Sequence, residues 1–394
     1  MSSTDNSFNR DEEYIVHTYK RLPIEITHGE GVYLFSKDGR KYLDFFSGLA
    51  VNALGYGNKK VISSIEDQLN KYLHISNYYI STPQIQLAEK LVKYSGLSKV
   101  FFTNSGTEAI EASLKLVRKV SGPQKRIIAF SNAFHGRTYG ALSISGKEKY
   151  KKQFEPLVPN IVRLNFNDID EIKNSIDANT AAVFIEFVQG EAGIYTASAQ
   201  FVQQLDELRK IFGFILVADE IQTGIGRTGK RFSFNHYNIE PDIIVLAKAI
   251  GGGLPLGAMI INKKYSEAFQ PGDHGSTFGG NPVACAAGLA VTEIVFENGL
   301  VDQVEKLGNY FKSELVSIST NFQSIINEVR GIGFMLGVEL KDSCLNIVDE
   351  FLKNGILVNC TNDKVIRILP PLIATKDNID YFLSTFRNIL NKYS

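Results

Sequence analysis

Seven short, almost unbroken apolar runs do most to limit what this chain can fold into: Lys99–Phe102, Arg126–Phe130, Ile161–Leu164, Ala181–Phe187, Phe214–Asp219, Asp242–Leu246 and Gly257–Ile261. A strand with one wet face alternates apolar and polar residues, whereas a strand covered on both faces of a parallel sheet does not. Amphipathic helical patterns such as Thr107–Val120 and Ser198–Phe212 separate the runs, so the chain repeats strand, helix, strand. The expectation is an α/β architecture with a mostly parallel seven-stranded sheet flanked by helices. The C-terminal third changes character, with helices near Ala284–Glu297 and Leu300–Ser319, short strands around Ile332–Leu340 and Val365–Ile368, and a last helix from Lys376. Near the N-terminus, Gly31–Phe35 and Lys41–Asp44 flank an Asp38-Gly39 turn, a hairpin signal. With 394 residues, 44% of them hydrophobic, more than one core is affordable. We expect residues 55–285 to form a large domain, 286–394 a smaller α+β domain, and 1–54 a segment packing on the latter.

Forty-two basic residues balance forty-two acidic ones, which gives no net field for nucleic acid or anionic lipid, so any anion must be recognised locally. The N-terminal MSSTDNSFNRDEEY has no apolar leader region, and no later stretch is apolar enough to span a bilayer. Cys285, Cys344 and Cys360 are odd in number and lack metal-ligand spacing, so we expect a reduced, cytoplasmic protein without a disulfide framework or zinc site.

One stretch, VADEIQTGIGRTGK (217–230), points two ways. Gly224, Gly226 and Gly229 spell G-x-G-x-x-G, the pattern of a nicotinamide dinucleotide site. In such a site the glycines follow the strand directly and open a helix, whereas here Asp219 and Glu220 intervene and KRFSFNHYNIEPD has no helical period. Two carboxylates there would repel a pyrophosphate. The oxidoreductase reading is therefore disfavoured, and Asp219 becomes a carboxylate at the carboxyl end of a buried strand, where α/β sheets place ligands. It needs a cation, either a chain residue such as Arg227 or Lys230 or a bound group.

Lys248 ends the next run, in VLAKAIGGGLPLGA, where an apolar surround would lower its pKa and leave a nucleophilic amine. Residues 101–119 run from a strand through Asn104-Ser105-Gly106-Thr107 into an amphipathic helix, whose first free N–H groups and two hydroxyls suit a phosphate, although Ser105 with Glu108 also spells an ordinary capping box. In NAFHGRT, Phe134 can stack on a flat ring and Arg137 can bind a carboxylate. An amine for an aldehyde, a countercharge for a pyridine nitrogen, a stacking face and a phosphate cradle together suit pyridoxal 5'-phosphate.

Through NSGTEA, FHGRT, DEIQTGIGRTG, LAKAIGGGLPLGA and HGSTFGGNP, the chain resembles the class III aminotransferases of pyridoxal phosphate fold type I almost end to end, and most of all the acetylornithine aminotransferases. The resemblance implies that Lys248 carries the cofactor, Asp219 meets its pyridine nitrogen, Gln222 its ring hydroxyl and Phe134 its ring face, with Glu220 and Ile221 beside them. It implies that Gly106 and Thr107 hold the phosphate while Thr277 reaches it from a second subunit, in a homodimer with shared active sites. Arg137, with Ser276 and Tyr19 nearby, would take the substrate carboxylate, and Glu191 would pair with Arg367. The activity implied is transfer of the δ-amino group of an Nα-acylated ornithine to 2-oxoglutarate, as in arginine biosynthesis. N-succinylornithine, ornithine and 4-aminobutyrate are the alternative donors on the same scaffold. Leu49 stands where ornithine aminotransferases typically carry a tyrosine, which favours an acylated substrate.

Overall fold

A computed structural model describes residues 7–393 of the chain; residues 1–6, the start of the polar N-terminal stretch, and Ser394 lie outside the described residues. Strands β1 (Ile26–Glu30), β2 (Tyr33–Ser36) and β3 (Lys41–Asp44) form an antiparallel meander whose second turn is Lys37–Arg40. The central sheet takes β4 (Lys99–Thr103), β5 (Arg126–Phe130), β6 (Ile161–Leu164) and β7 (Thr180–Ile185). After a small hairpin of β8 (Val188–Gln189) and β9 (Tyr195–Thr196), it adds β10 (Ile215–Asp219), β11 (Ile243–Leu246) and β12 (Gly257–Ile261). Its order is β4-β12-β11-β10-β7-β5-β6. All seven expected runs are strands of this one sheet, and β12 alone runs against its neighbours.

The cause of the unbroken apolar runs is visible in the burial of β7, β10, β11 and β12, where every residue is inside. One face packs a cluster that includes helix Gly106–Ser121, whose Ala109, Ile110, Ala112, Leu116 and Val117 are buried; the other face continues into the core of the C-terminal third. Helix Ala199–Phe212 starts where Ser198 accepts from the Phe201 N–H at 3.2 Å and ends on Gly213 at φ 71°, a left-handed stop that glycine takes without strain.

In the C-terminal third, β13 (Ile326–Ile332) and β14 (Met335–Leu340) form a hairpin where the sequence suggested one strand; Gly333 at φ 57° makes the turn. With β16 (Asn359–Thr361) and β17 (Val365–Ile368) they make an antiparallel sheet, and β15 (Ile356–Leu357) pairs in parallel with β3. This pairing, with the Ser47 hydroxyl donating to the Leu369 carbonyl at 2.6 Å, fastens the N-terminal segment to the C-terminal third.

The cysteine expectation is overturned. Cys344 and Cys360 form a disulfide, with Cα atoms 5.8 Å apart, because β16 folds back beside the start of helix Leu345–Lys353; Cys285 is free and buried. Nothing in their spacing of sixteen residues announces that fold-back. Among the described residues no single helix is long and apolar enough to cross a membrane, and none of the His, Cys, Asp and Glu side chains group into a metal site.

Candidate active site

The sheet positions the site by the direction of its strands. Residues 104–107 follow β4, 134–137 follow β5, 186–191 follow β7, 219–222 follow β10 and Lys248 follows β11, all at carboxyl ends. Residues 253–256 precede β12, and because β12 is reversed its amino end lies at the same edge. All of these contribute to one cavity of about 450 Å³. Gly106, Thr107, Phe134, Arg137, Glu191, Asp219, Ile221, Gln222 and Lys248 line it together.

Lys248 is partly buried and holds φ at 53°, a left-handed backbone unusual for a lysine and of the kind that clusters at functional sites. Burial lowers its pKa, Glu191 pulls it back up, and the nearby charge of Arg367 lowers it again. Asp219, 3% exposed, is bonded to neither Arg227 nor Lys230. Its Oδ2 lies 2.7 Å from His135 Nδ1 and its Oδ1 accepts from the Ile221 N–H at 3.0 Å. Arg227 instead donates to the Phe334 and Pro370 carbonyls, and Lys230 pairs with Glu305. For His135, burial opposes the charge, but the hydrogen bond and charge of Asp219, helped by Glu186, raise the imidazole above its ordinary pKa. Among the described residues its Nε2 has no hydrogen-bond partner, nor has Gln222 Oε1. Two buried polar atoms left unmatched beside a cavity fit a polar ligand there.

At the helix start, Ser105 Oγ accepts from the Glu108 N–H at 3.3 Å, as its spacing suggested. The Glu108 carboxylate passes over Ser105 and takes the Asn104 N–H at 2.8 Å. Gly106 is needed for close approach: a Cβ there would stand 2.7 Å from Ile221 Cδ1. Arg137 makes no ion pair among the described residues; its guanidinium lies 3.9 Å from the Tyr150 ring centroid and 5.5 Å from that of Phe134, so aromatic faces hold it while its N–H donors stay available. Glu191 sits on the single helical turn Gly190–Gly193, and its Oε1 meets Arg367 Nη1 at 2.5 Å. Arg367, 1% exposed, also donates from Nε to Asn359 at 3.0 Å. Burial works against the Glu191 charge, but Arg367 wins and lowers its pKa.

Five expected residues do not line this cavity, one of them Arg367, which reaches it only through its pair with Glu191. Glu220 follows Asp219 on the strand end and so faces the other way; Thr223, Ser233 and Phe234 donate to its carboxylate, which braces the 220–234 loop. Ser276 and Thr277 line a separate outer cavity with His74 and Asn77, although Ser276 Oγ accepts from Asn104 Nδ2 at 3.1 Å. Tyr19 is 78% exposed. The G-x-G-x-x-G glycines are buried in packing: a Cβ on Gly226 would meet Val295, and one on Gly229 would meet Glu305. Val51 lines the cavity, whereas Leu49, two residues away, does not.

Sequence reasoning passed over His135 and Glu186. His135 lay between two residues with evident roles, and the signal available was an imidazole next to a ring-stacking candidate. Glu186 interrupts an apolar run, and the interruption was the signal. It is 7% exposed, accepts from the Phe134 N–H at 2.9 Å, and is pushed up to about 7 by burial, with Asp219 adding and His135 opposing.

The chain is 46% identical over 382 residues to the acetylornithine aminotransferase of Aquifex aeolicus, covering 96% of this chain and all of that one. The crystal structure of the acetylornithine aminotransferase from Elizabethkingia anophelis superposes with a TM-score of 0.89 at 32% identity, covering 98% of both chains. That of the ornithine aminotransferase from Toxoplasma gondii, described with partial occupancy of PLP at its active site, superposes with a TM-score of 0.94 at 28% identity over 99% of this chain and 95% of that one. Residues 14–390 match the model of the family described as aminotransferase class III. A cavity built around a strand-end lysine, a buried aspartate and a helix N-terminus thus belongs to a chain that is a member of the class III aminotransferases, pyridoxal phosphate-dependent transaminases.

Proposed function

We propose that this cavity holds pyridoxal 5'-phosphate on Lys248 and Asp219 and transfers the δ-amino group of N2-acetylornithine to 2-oxoglutarate, giving N-acetylglutamate 5-semialdehyde and glutamate. The bound cofactor supplies an aldehyde that takes up amino groups and a pyridinium ring that withdraws electrons. The rest is the work of this chain. Lys248, its pKa lowered by burial, is an amine able to take and return a proton at the reacting carbon. Asp219 keeps a proton on a ring nitrogen, and its bond to His135 fixes the carboxylate's orientation. Gln222 Oε1 supplies an acceptor and the Gly106–Ser121 helix start supplies N–H donors for a phosphate. Phe134, on the cavity wall, would offer its face to the ring.

The observation that carries the substrate assignment is the Arg367–Glu191 pair, whose Glu191 lines the cavity, with Arg137 making no ion pair among the described residues. A neutral acylated end and a second carboxylate must be accepted in turn. Paired, Arg367 is masked; released, it takes the α-carboxylate of glutamate while Arg137 holds the distal one, since an arginine stays charged throughout. Rapid-mixing absorbance of each half-reaction tests this. Arg367→Ala should spare amino transfer from N2-acetylornithine and impair the 2-oxoglutarate half, and Glu191→Ala should improve glutamate as donor. Equal damage to both halves by Arg367→Ala would sink the assignment. Steady-state comparison with N-succinylornithine, ornithine and 4-aminobutyrate ranks the other donors.

The division into 55–285 for the cofactor and 1–54 with 286–394 for the smaller domain is part of the same reading. So is a homodimer: Tyr78, which lines the outer cavity with Ser276 and Thr277, is 96% exposed, Ile80 and Phe278, close to them in the chain, are 84% and 57% exposed, and large exposed apolar groups of this kind mark a subunit contact. Thr277 would then serve the partner's phosphate.

A further inference from the structure

For Arg367 to take a carboxylate of the second substrate, the Glu191 carboxylate has to leave it, and a carboxylate leaving a buried partner is costly unless a second cation receives it. Lys147 stands beside it. This lysine is 8% exposed, and among the described residues its ammonium makes one hydrogen bond, to the Glu191 backbone carbonyl at 2.6 Å, and no ion pair. Thr361 Oγ1 donates to the same carbonyl at 3.1 Å. Two donors thus pin the backbone of residue 191 and leave its carboxylate bound only by Arg367 among the described residues. Lys147, Glu191, Asn359 and Thr361 also share the wall of a second cavity of about 420 Å³, which gives the turning carboxylate room.

We propose that Lys147 is the second station of the switch: when Arg367 is engaged by the dicarboxylate, the Glu191 carboxylate swings about its fixed backbone onto the Lys147 ammonium. This rests on the masking role of Glu191 given above. Lys147 acts as a positioning residue, since it does not line the cavity that holds Lys248 and Asp219 and works through Glu191. The charges already sense each other: burial lowers the lysine's pKa and Glu191 raises it again. A carboxylate arriving within hydrogen-bond distance would strengthen that pairing.

The test uses the holoenzyme and two measurements. In rapid-mixing absorbance, Lys147→Met should slow the reaction of the aminated holoenzyme with 2-oxoglutarate by about tenfold, ~1.4 kcal/mol, and leave amino transfer from N2-acetylornithine within about twofold of wild type. Lys147→Arg should restore the lost rate, and Lys147→Gln serves if the methionine variant does not fold. A crystal structure of the wild-type holoenzyme with 2-oxoglutarate should show a Glu191 carboxylate oxygen within about 3.2 Å of Lys147 Nζ. Unchanged 2-oxoglutarate kinetics in Lys147→Met, or Glu191 seated elsewhere in that crystal, overturns the proposal even if Arg367→Ala behaves selectively. Equal damage to both halves by Arg367→Ala removes the switch itself, and the station with it.

Discussion

Glu186→Gln should make the apoprotein more stable at pH 8 and the enzyme slower. Glu186 is 7% exposed, and burial first, then the charge of Asp219, raise its pKa to about 7, against the pull of His135 and Lys248. In the unfolded chain the same carboxyl titrates near 4.5. The folded protein therefore holds this proton more tightly than the unfolded one. The contribution to stability is fully present below pH 4.5 and is lost as pH rises through about 7. A gap of about 2.5 units at ~1.36 kcal/mol each comes to roughly 3 kcal/mol that wild type forfeits by pH 8. Glutamine is neutral throughout and can still accept from the Phe134 N–H, so the variant does not forfeit it. One amide group left without an acceptor would take back about 1 kcal/mol.

For 394 residues at ~2.1 cal/mol/K each, the entropy of unfolding is roughly 0.8 kcal/mol/K, so a net gain of about 2 to 3 kcal/mol lifts Tm by about 2 to 4 °C. The assay is thermal unfolding of wild type and variant apoprotein between pH 5 and 8.5 at one protein concentration, with reversibility checked. Titrating groups remote from Glu186, such as the buried Asp44, appear in both proteins and cancel in the difference, whereas His135, whose pKa Glu186 helps raise, titrates as part of the effect being measured. Parallel stability curves across that pH range would refute the reasoning, because they would mean that Glu186 does not carry the burial penalty its surroundings impose. A stabilised variant with lowered kcat would show that this carboxyl is kept, at some loss of stability, for the site.

Lys248→Ala should abolish turnover while far-UV circular dichroism stays at the wild-type shape; multiple turnovers near the normal rate would refute the assignment. Asp219→Asn preserves shape and removes charge, and should raise the barrier by several kcal/mol; a fall in kcat/KM of less than about tenfold, ~1.4 kcal/mol, would make the acid structural. Arg137→Ala should weaken both half-reactions by about 2 kcal/mol each, the scale of a lost charged hydrogen bond. Tyr150→Leu, which removes the ring stacked on that guanidinium, should raise KM for both substrates by an amount worth about 1 kcal/mol with kcat little changed. Tyr150→Phe should be near wild type in the same assay.

What could be read from the sequence divides along a physical line. The strands of the central sheet were legible because β7, β10, β11 and β12 are buried on both faces, which writes a continuous apolar run into the chain. Asp219 and Lys248 were legible for the same reason, as polar residues that end such runs where strand direction brings them to one edge. Glu220 was misplaced because neighbours at a strand end point to opposite sides, and a string of letters does not say which side is the cavity. The pairing of Cys344 with Cys360 depends on β16 returning beside a helix start, a long-range event with no local spacing rule.

A different kind of illegibility explains Ser276, Thr277 and Tyr19. Their places by resemblance are in an active site, yet in the single chain Thr277 and Tyr19 are exposed and Ser276 faces a second cavity. These two observations agree if the site is completed across a subunit contact, since a residue serving the partner must leave its own cavity and lie on the shared face. Asn104 gives the linkage a route: it lines the cavity and donates to Ser276 on the outer face at 3.1 Å, so the phosphate loop is braced from the surface that a second subunit would cover. Thr277→Ala should then lower cofactor affinity, measured by titration of the apoenzyme with pyridoxal phosphate, without changing sedimentation as a dimer. An unchanged affinity, or a protein that sediments as a monomer with full activity, would remove the partner from the site and leave the exposed Tyr78, Ile80 and Phe278 without the role given to them here.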